Sequence, residues 1–331
     1  MGNFFLNIRL TKLVRLPLAM ALTMALLAVG PGAAWADEPN ASEAKEWAEK
    51  GDRFLKQKKY TEAFKWFRKA ADQGNVDSQV ILGGMYTIGL GVPQDLVQAA
   101  EWFRKAADQG NVGAQMVMGE MYKNGKGVPQ DEALAVEWYR KAAEQGDAQA
   151  QFNLGKMYED GLGVKKDAAQ AVKWYRKAAE QGEPSAQFML GLMYQIGQGV
   201  DQDYALAVEW FLKSAKQGNA WAQNNLGVMY KNGQGVPQDD TQAAEWSLKA
   251  AEQGNIWAQF NLGWMYAKGE GVKKNLVLAH MWVNLAGSKT NGEWKEKADS
   301  FIETLENEMT PKQITEAKKM AKNWKPKTQR K

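Results

Sequence analysis

Tryptophan recurs at positions 66, 102, 138, 174, 210, 246 and 282, separated by 36 residues each time. A fixed period of this kind does not arise from two unrelated domains, although a chain of 331 residues has room for two. It calls for a stack of like units, each burying its apolar face against the next. Between the tryptophans one phrase returns: Lys105-Ala106-Ala107-Asp108-Gln109-Gly110, then Ala114-Gln115, Gly119, Met121-Tyr122 and Gly125-x-Gly127-Val128. Six copies carry it with small variations. Each holds four glycines, so 24 of the 32 glycines in the chain are repeat punctuation.

Each unit reads as two antiparallel helices, which makes the chain all-α. The first helix, predicted over Val112–Asn124, starts after Asn111, and its counterparts follow Asn75, Asp147, Asn219 and Asn255. These side chains accept from the free N–H groups of a first helical turn. In the copy that begins at 184, proline takes the first helical position instead. The Gly-x-Gly-Val stretch turns the chain, and Asp95, Asp131, Asp167, Asp203 and Asp239 cap the second helix. That helix carries Ala99, Trp102, Phe103 and Ala106 on one stripe. Gly74, Gly110, Gly146, Gly182, Gly218 and Gly254 end it. Gly119 and its equivalents lie inside the first helix, where glycine costs about 1 kcal/mol relative to alanine. Accepting that cost six times implies a close approach between helices.

The phrase Ala-Ala-x-Trp-Tyr/Phe-x-Lys-Ala-Ala-x-Gln-Gly-x-x-x-Ala-Gln-x-x-Leu-Gly-x-Met-Tyr-x-x-Gly-x-Gly-Val resembles the Sel1-like repeat family, a relative of the tetratricopeptide repeat. The resemblance spans residues 60–286. It implies an α-solenoid of about eight helix pairs wound as a right-handed superhelix. It also implies a non-catalytic role: bacterial Sel1-like proteins typically bind other proteins, several of them in host interaction or envelope signalling. Upstream, Trp47, Gly51, Phe54 and Tyr60 look like a shorter unit of tetratricopeptide type within 37–59. Phe54 to Trp66 is 12 residues where Tyr86 to Trp102 is 16, so the glycine loop is four residues short. Downstream, residues 287–331 lose the phrase. Trp294, Ala298, Phe301, Ile302 and Leu305 mark an amphipathic helix, and Thr310-Pro311-Lys312-Gln313 opens a last one with a capping box. Ile314, Ala317, Ala321 and Trp324 face inward from it. A polar-backed terminal pair is what an open-ended array needs.

The first 36 residues read as a secretory signal rather than structure. Arg9, Lys12 and Arg15 precede an apolar run from Leu16 to Val29, and Ala34-Trp35-Ala36 supplies the cleavage site. That run of about 14 residues is shorter than the roughly 20 a spanning helix needs. The formal net charge is +4, three of it in this leader, which leaves +1 for the mature chain. Such a balance does not favour nucleic-acid binding. The expectation is an exported product, periplasmic or secreted, without a membrane span.

Little of the residue inventory supports catalysis. There is no cysteine and one histidine, His280, which removes thiolate sites, cysteine nucleophiles and most histidine-based mechanisms. Ser42-x-x-Lys45 matches the first element of the penicillin-recognising enzymes, but its companion elements are missing, and Lys289-Thr290-Asn291 only approaches one. Gly-x-Gly-Val lacks the third glycine and the preceding strand of a dinucleotide site. The aspartates at helix starts are explained by capping, without a calcium-loop spacing. No catalytic residue, metal or cofactor is assigned. The basic tail from Lys318 to Lys331 reads as a solvated helix face with a frayed end.

A partner would then be sought on the variable face. Counting from the glycine inside each first helix, residues six before, three before, one after, four after and five after share about 100° of arc. In related helix-pair arrays this face lines the concave groove. Here its C-terminal third is aromatic: Trp257, Phe260 and Trp264 form one stripe, Trp221 precedes them, and Asn225 and Asn261 flank it. Aromatic anchors beside amides are residue types that dominate binding hot spots. Two readings of these tryptophans stand: they line a groove for a protein or peptide, or they pack against the adjacent unit and the terminal helices. Stacking on a glycan is the alternative use of an open stripe.

Overall fold

The computed structural model describes residues 39–327, and its described residues form sixteen α-helices and no strand. The expected leader and its cleavage after Ala36 lie outside the described residues. The chain divides into two compact units, one ending at Lys166 and the other beginning at Asp167. The first contains α1 (Pro39–Lys56), α2 (Tyr60–Asp72), α3 (Val76–Ile88), α4 (Leu96–Asp108), α5 (Val112–Asn124), α6 (Glu132–Glu144) and α7 (Ala148–Asp160). The second contains α8 (Ala168–Glu180), α9 (Pro184–Ile196), α10 (Tyr204–Lys216), α11 (Ala220–Asn232), α12 (Asp240–Glu252), α13 (Ile256–Lys268), α14 (Leu276–Gly287), α15 (Glu293–Glu306) and α16 (Pro311–Asn323).

Helix boundaries follow the capping residues. Asn111 accepts from the Ala114 N–H at 2.8 Å, and Asp131 accepts from the Leu134 N–H at 3.0 Å. Asp131 also ties its own N–H to the Tyr122 carbonyl at 2.9 Å, which closes the loop and explains the constant distance from tyrosine to the second cap. Pro184 occupies the first turn of α9 as expected, and the side chain of Glu183 in addition accepts from the Ala186 N–H. The terminal helix α16 opens with a reciprocal box: Thr310 N–H donates to Gln313 at 2.9 Å while the Gln313 N–H donates to the Thr310 hydroxyl at 3.4 Å.

Two glycine positions set how closely the helices pack. A Cβ at Gly119 of α5 would lie 2.6 Å from the ring of Tyr139, which is fully buried on α6. The same relation joins Gly83 to Phe103 and Gly191 to Phe211, each at 2.8 Å. In these pairs the glycine inside the first helix is the socket for an aromatic ring of the second, while Gly227 faces Ser247 and Gly263 faces Val283. In the shorter first pair, Gly51 meets Phe67 in the same way at 2.7 Å, with Lys58 at φ +58 in the abbreviated turn. The second glycine of the loop does a different job. Gly127 has φ +72, and a Cβ there would overlap the carbonyl of Leu96 at the start of α4. Each such loop therefore lies against the preceding second helix.

Within each compact unit, neighbouring helix pairs are also joined by a buried polar relay. Gln79 donates to the Ala71 carbonyl at 3.1 Å and Gln115 to the Ala107 carbonyl at 3.1 Å, satisfying groups at helix C-termini that have no partner within their own helix. Their remaining oxygens accept from the next helix pair: Gln109 donates to Gln79, and Gln145 to Gln115, each at 2.8 Å. In the second unit Gln217 donates to Gln187 at 2.9 Å and Gln253 to Gln223 at 2.8 Å. The relay stops at Gln259, which donates to the Ala251 carbonyl at 3.1 Å but whose Oε1 has no partner among the described residues. At the position 36 residues after Gln253 stands Lys289. Its ammonium lies over the Trp324 ring instead, 5.1 Å from the centroid.

Candidate functional site

Of the five positions on the variable arc, the structure opens fewer to solvent than the helical wheel implies. The residue three before the glycine is buried in α3, α7, α9 and α11, as Val80, Phe152, Phe188 and Asn224. In α9 the cause is visible: the Phe188 ring sits 5.8 Å from that of Phe211 on the second helix. The residue five after the glycine is exposed throughout, as Ile88, Asn124, Asp160, Ile196, Asn232 and Lys268. On α5, Glu120 is engaged by a hydrogen bond from the Tyr139 hydroxyl at 2.7 Å. Burial and that carboxylate hold the tyrosine well above its usual range. The sequence carries a faint sign of this pair, because a buried tyrosine hydroxyl needs an acceptor.

The aromatic stripe of α13 has a different fate from an open groove. Trp257 meets Trp294 of α15 edge-on, with ring centroids 4.3 Å apart. Phe260 lies 6.3 Å from Trp294 and 5.9 Å from Phe301, and Trp264 lies 5.1 Å from Phe301. The reading in which these residues pack against the terminal helices therefore holds for Trp257 and Phe260. Both are half-buried, with their rings in contact with the chain's own α15. The physical reason is register: Trp257 and Trp264 are two turns apart on α13, and Trp294 and Phe301 are two turns apart on α15. A small gap lies between Trp257, Phe260 and Trp294, bordered also by Ile256, Ala286, Thr290 and Ala298.

Trp264 is the exception. It remains 41% exposed, with the Lys268 ammonium 5.3 Å from its centroid. Trp221 is half-buried in the first turn of α11, and Asn225 and Asn261 are half-buried as well. Asn261 turns its amide to the Asn224 oxygen at 3.3 Å, linking α13 to α11. Thus the structure brings Trp257, Phe260 and Trp264 against α15, turns Asn261 to α11, and leaves Trp264 the most exposed of these rings.

The helix that covers the stripe is itself anchored. Glu306, at the end of α15, accepts from Lys318 of α16 at 2.9 Å and pairs with His280 Nε2 of α14 at 2.9 Å. These two partners, Lys318 first, hold the Glu306 carboxyl below the usual carboxylate range. His280 is fully buried, and its Nδ1 has no partner among the described residues. On the basic tail Lys318, Lys319 and Lys322 are exposed, as expected of a solvated helix face, and residues 328–331 lie outside the described residues. Trp324 stacks edge-on against Trp282 at 5.9 Å, and Lys327 forms an ion pair with Glu252. Ser42 and Lys45 are both exposed on α1. No group of three or more His, Cys, Asp or Glu side chains able to hold a metal ion occurs among the described residues, and none of the described helices is long and apolar enough to cross a membrane.

The Sel1 repeat family model matches seven consecutive segments: residues 22–75, 76–111, 112–147, 148–183, 184–219, 222–255 and 258–291. This chain belongs to the Sel1 repeat family. Its all-α repeat fold is the Sel1 solenoid, as the structure of a Sel1 repeat protein from Oxalobacter formigenes also indicates. That protein is 34% identical, with 78% of this chain and 99% of that chain covered and a TM-score of 0.62. A protective antigen present in uropathogenic Escherichia coli strains, displaying an SLR fold, is 29% identical over 86% of this chain and 84% of its own, with a TM-score of 0.49. No curated protein matches the chain in sequence. Sel1 repeats generally serve as protein-interaction scaffolds and are generally non-catalytic.

Proposed function

We propose that this Sel1 repeat chain is an exported, non-catalytic scaffold that binds a protein or peptide partner through the open face of its first helices, acting in the envelope or in host interaction. The observation that carries the reading is Trp264, a tryptophan with 41% of its surface exposed beside the cation of Lys268. A large ring kept in water on a face of otherwise modest side chains is an anchor type found at binding hot spots. Trp221, Asn225 and Asn261 lie on the same helices and supply a second ring edge and two amides. Export rests on the basic and apolar character of the leader up to Ala36.

The test is capture. Purified chain is used to draw partners from envelope and host extracts, with Trp264→Ala as the folded control. The expected result is a partner retained by the parent and lost by the variant; equal capture by both removes this face from the function. Sequencing the mature N-terminus from fractionated cells is expected to return Asp37 as the first residue. A change in tryptophan fluorescence with peptidoglycan fragments, absent in Trp264→Ala, would move the assignment to a glycan.

A further inference from the structure

The chain already displays one ligand on this face, its own α15. That helix is amphipathic, offers Trp294 and Phe301 two turns apart, and carries five acidic and two basic residues. It covers Trp257 and Phe260 but leaves Trp264 only partly overlain. Past its edge the same surface continues: Val228 and Leu192 hold the repeat position of Trp264, one and two units earlier, and both are half-buried. Ile196 beside them is 38% exposed. The variable arc of α9, α11 and α13 bears Lys231 and Lys268 and no acidic residue. Lys231 is paired with Glu270, so the exposed Lys268 is the cation this strip offers to a ligand.

We propose that the second unit binds an acidic amphipathic helix of a partner protein on the strip Leu192, Ile196, Val228 and Trp264, alongside α15 and in the manner of α15, through an aromatic pair seven residues apart. The inference rests on the scaffold reading and names the ligand class for it. The strip meets the contact made by α15 at Trp264, which touches Phe301, and its cation Lys268 is opposite in sign to the net charge of α15. Helix-in-groove recognition places anchors at such one- and two-turn spacings.

The probe is a fluorescently labelled peptide of residues 290–308, titrated with the full chain and read by anisotropy. Saturable binding is expected, weakened about tenfold or more when the peptide carries W294A and F301A, and likewise when the chain carries Ile196→Asp or Trp264→Ala. Both chain positions are exposed, so circular dichroism is expected to show the variants folded. Absence of binding up to about 1 mM peptide, or binding unmoved by Ile196→Asp, overturns the proposal. If the peptide fails while Trp264-dependent capture of a partner persists, the helical ligand is wrong and the scaffold reading stands; if both fail, both fall.

Discussion

Gln109 donates to the Oε1 of Gln79 across 2.8 Å and to the Gly74 carbonyl across 3.1 Å, so one amide joins two helix pairs through residues 30 and 35 positions away. Gln79 is buried, and its own amide is spent on the Ala71 carbonyl. The Gln109 amide and both ends of the Gln79 side chain are thus satisfied by residues of the repeated phrase. In a buried setting that completeness matters more than the strength of any one bond, because an orphaned amide costs about 1–3 kcal/mol.

Breaking or completing the relay is expected to move stability in opposite directions. Gln115→Leu removes the side-chain bond to the Ala107 carbonyl and the one from the Gln145 amide, while the Gly110 carbonyl still holds that amide, and should lower stability by about 1 kcal/mol. Lys289→Gln places a donor where Gln259 has none, and should raise stability by about 1 kcal/mol. Urea denaturation of both variants against the parent measures this. A Lys289→Gln protein no more stable than the parent would show that the Trp324 contact of Lys289 outweighs the closed rung.

Gly119→Ala should destabilise despite the better helix propensity of alanine. The new methyl meets the Tyr139 ring, which cannot swing aside while its hydroxyl is held by Glu120. Overpacking of this kind costs about 1–3 kcal/mol. Adding Tyr139→Ser, the residue type found opposite Gly227, should make the alanine better tolerated, because a serine hydroxyl can turn away from the methyl where the held ring cannot. The comparison is read as the difference in thermal midpoint with and without the methyl.

Acid should loosen the anchor of α15. The Glu306 carboxyl has a lowered folded-state pKa, from its bonds to Lys318 and His280, against an ordinary value of 4.5. A depressed carboxylate contributes stability that is present above the unfolded value and is lost as pH falls through the folded one. Glu306→Gln should therefore cost about 1 kcal/mol near pH 7. The gap between parent and variant should close as pH falls below 4.5. Thermal melts over that range check it; a gap independent of pH would assign the loss to packing.

Trp257→Ala and Trp264→Ala should behave differently although the residues share a stripe. Trp257 has its ring against Trp294, and its loss should cost about 2–4 kcal/mol. Trp264 keeps 41% of its surface in water, and its loss should cost under about 1 kcal/mol. Denaturant titration separates the two.

What could be read from the sequence follows how local each interaction is. The caps at Asn111 and Asp131 act within three residues, so they fix α5 and α6 without tertiary information. The glycine inside each first helix is legible as a cost needing compensation, and the ring of Tyr139 is the compensation. The glutamine relay is harder to see, since its partners are 30 residues apart and look like two more constants of the phrase. The fate of Trp257 and Phe260 depends on where α15 folds back, and no helical wheel of α13 contains that. The matching two-turn spacing of Trp294 and Phe301 is the one signal in the sequence that points to it. Glu183 as a cap was hidden behind the more familiar signature of Pro184.

The seat of Gly127 on the Leu96 carbonyl carries a consequence for how such a chain can change length. A loop glycine and the helix start it rests on are 31 residues apart, here as for Gly235 on Tyr204 and Gly271 on Asp240. Any insertion or deletion between two such points that is not a whole module pulls them out of step, and the misfit is passed to every later hairpin. Excising residues 112–147 leaves Asn111 ahead of Ala148, an asparagine where an aspartate stood, with all spacings intact. For this chain the register of loop on helix thus favours changes of length in steps of one hairpin.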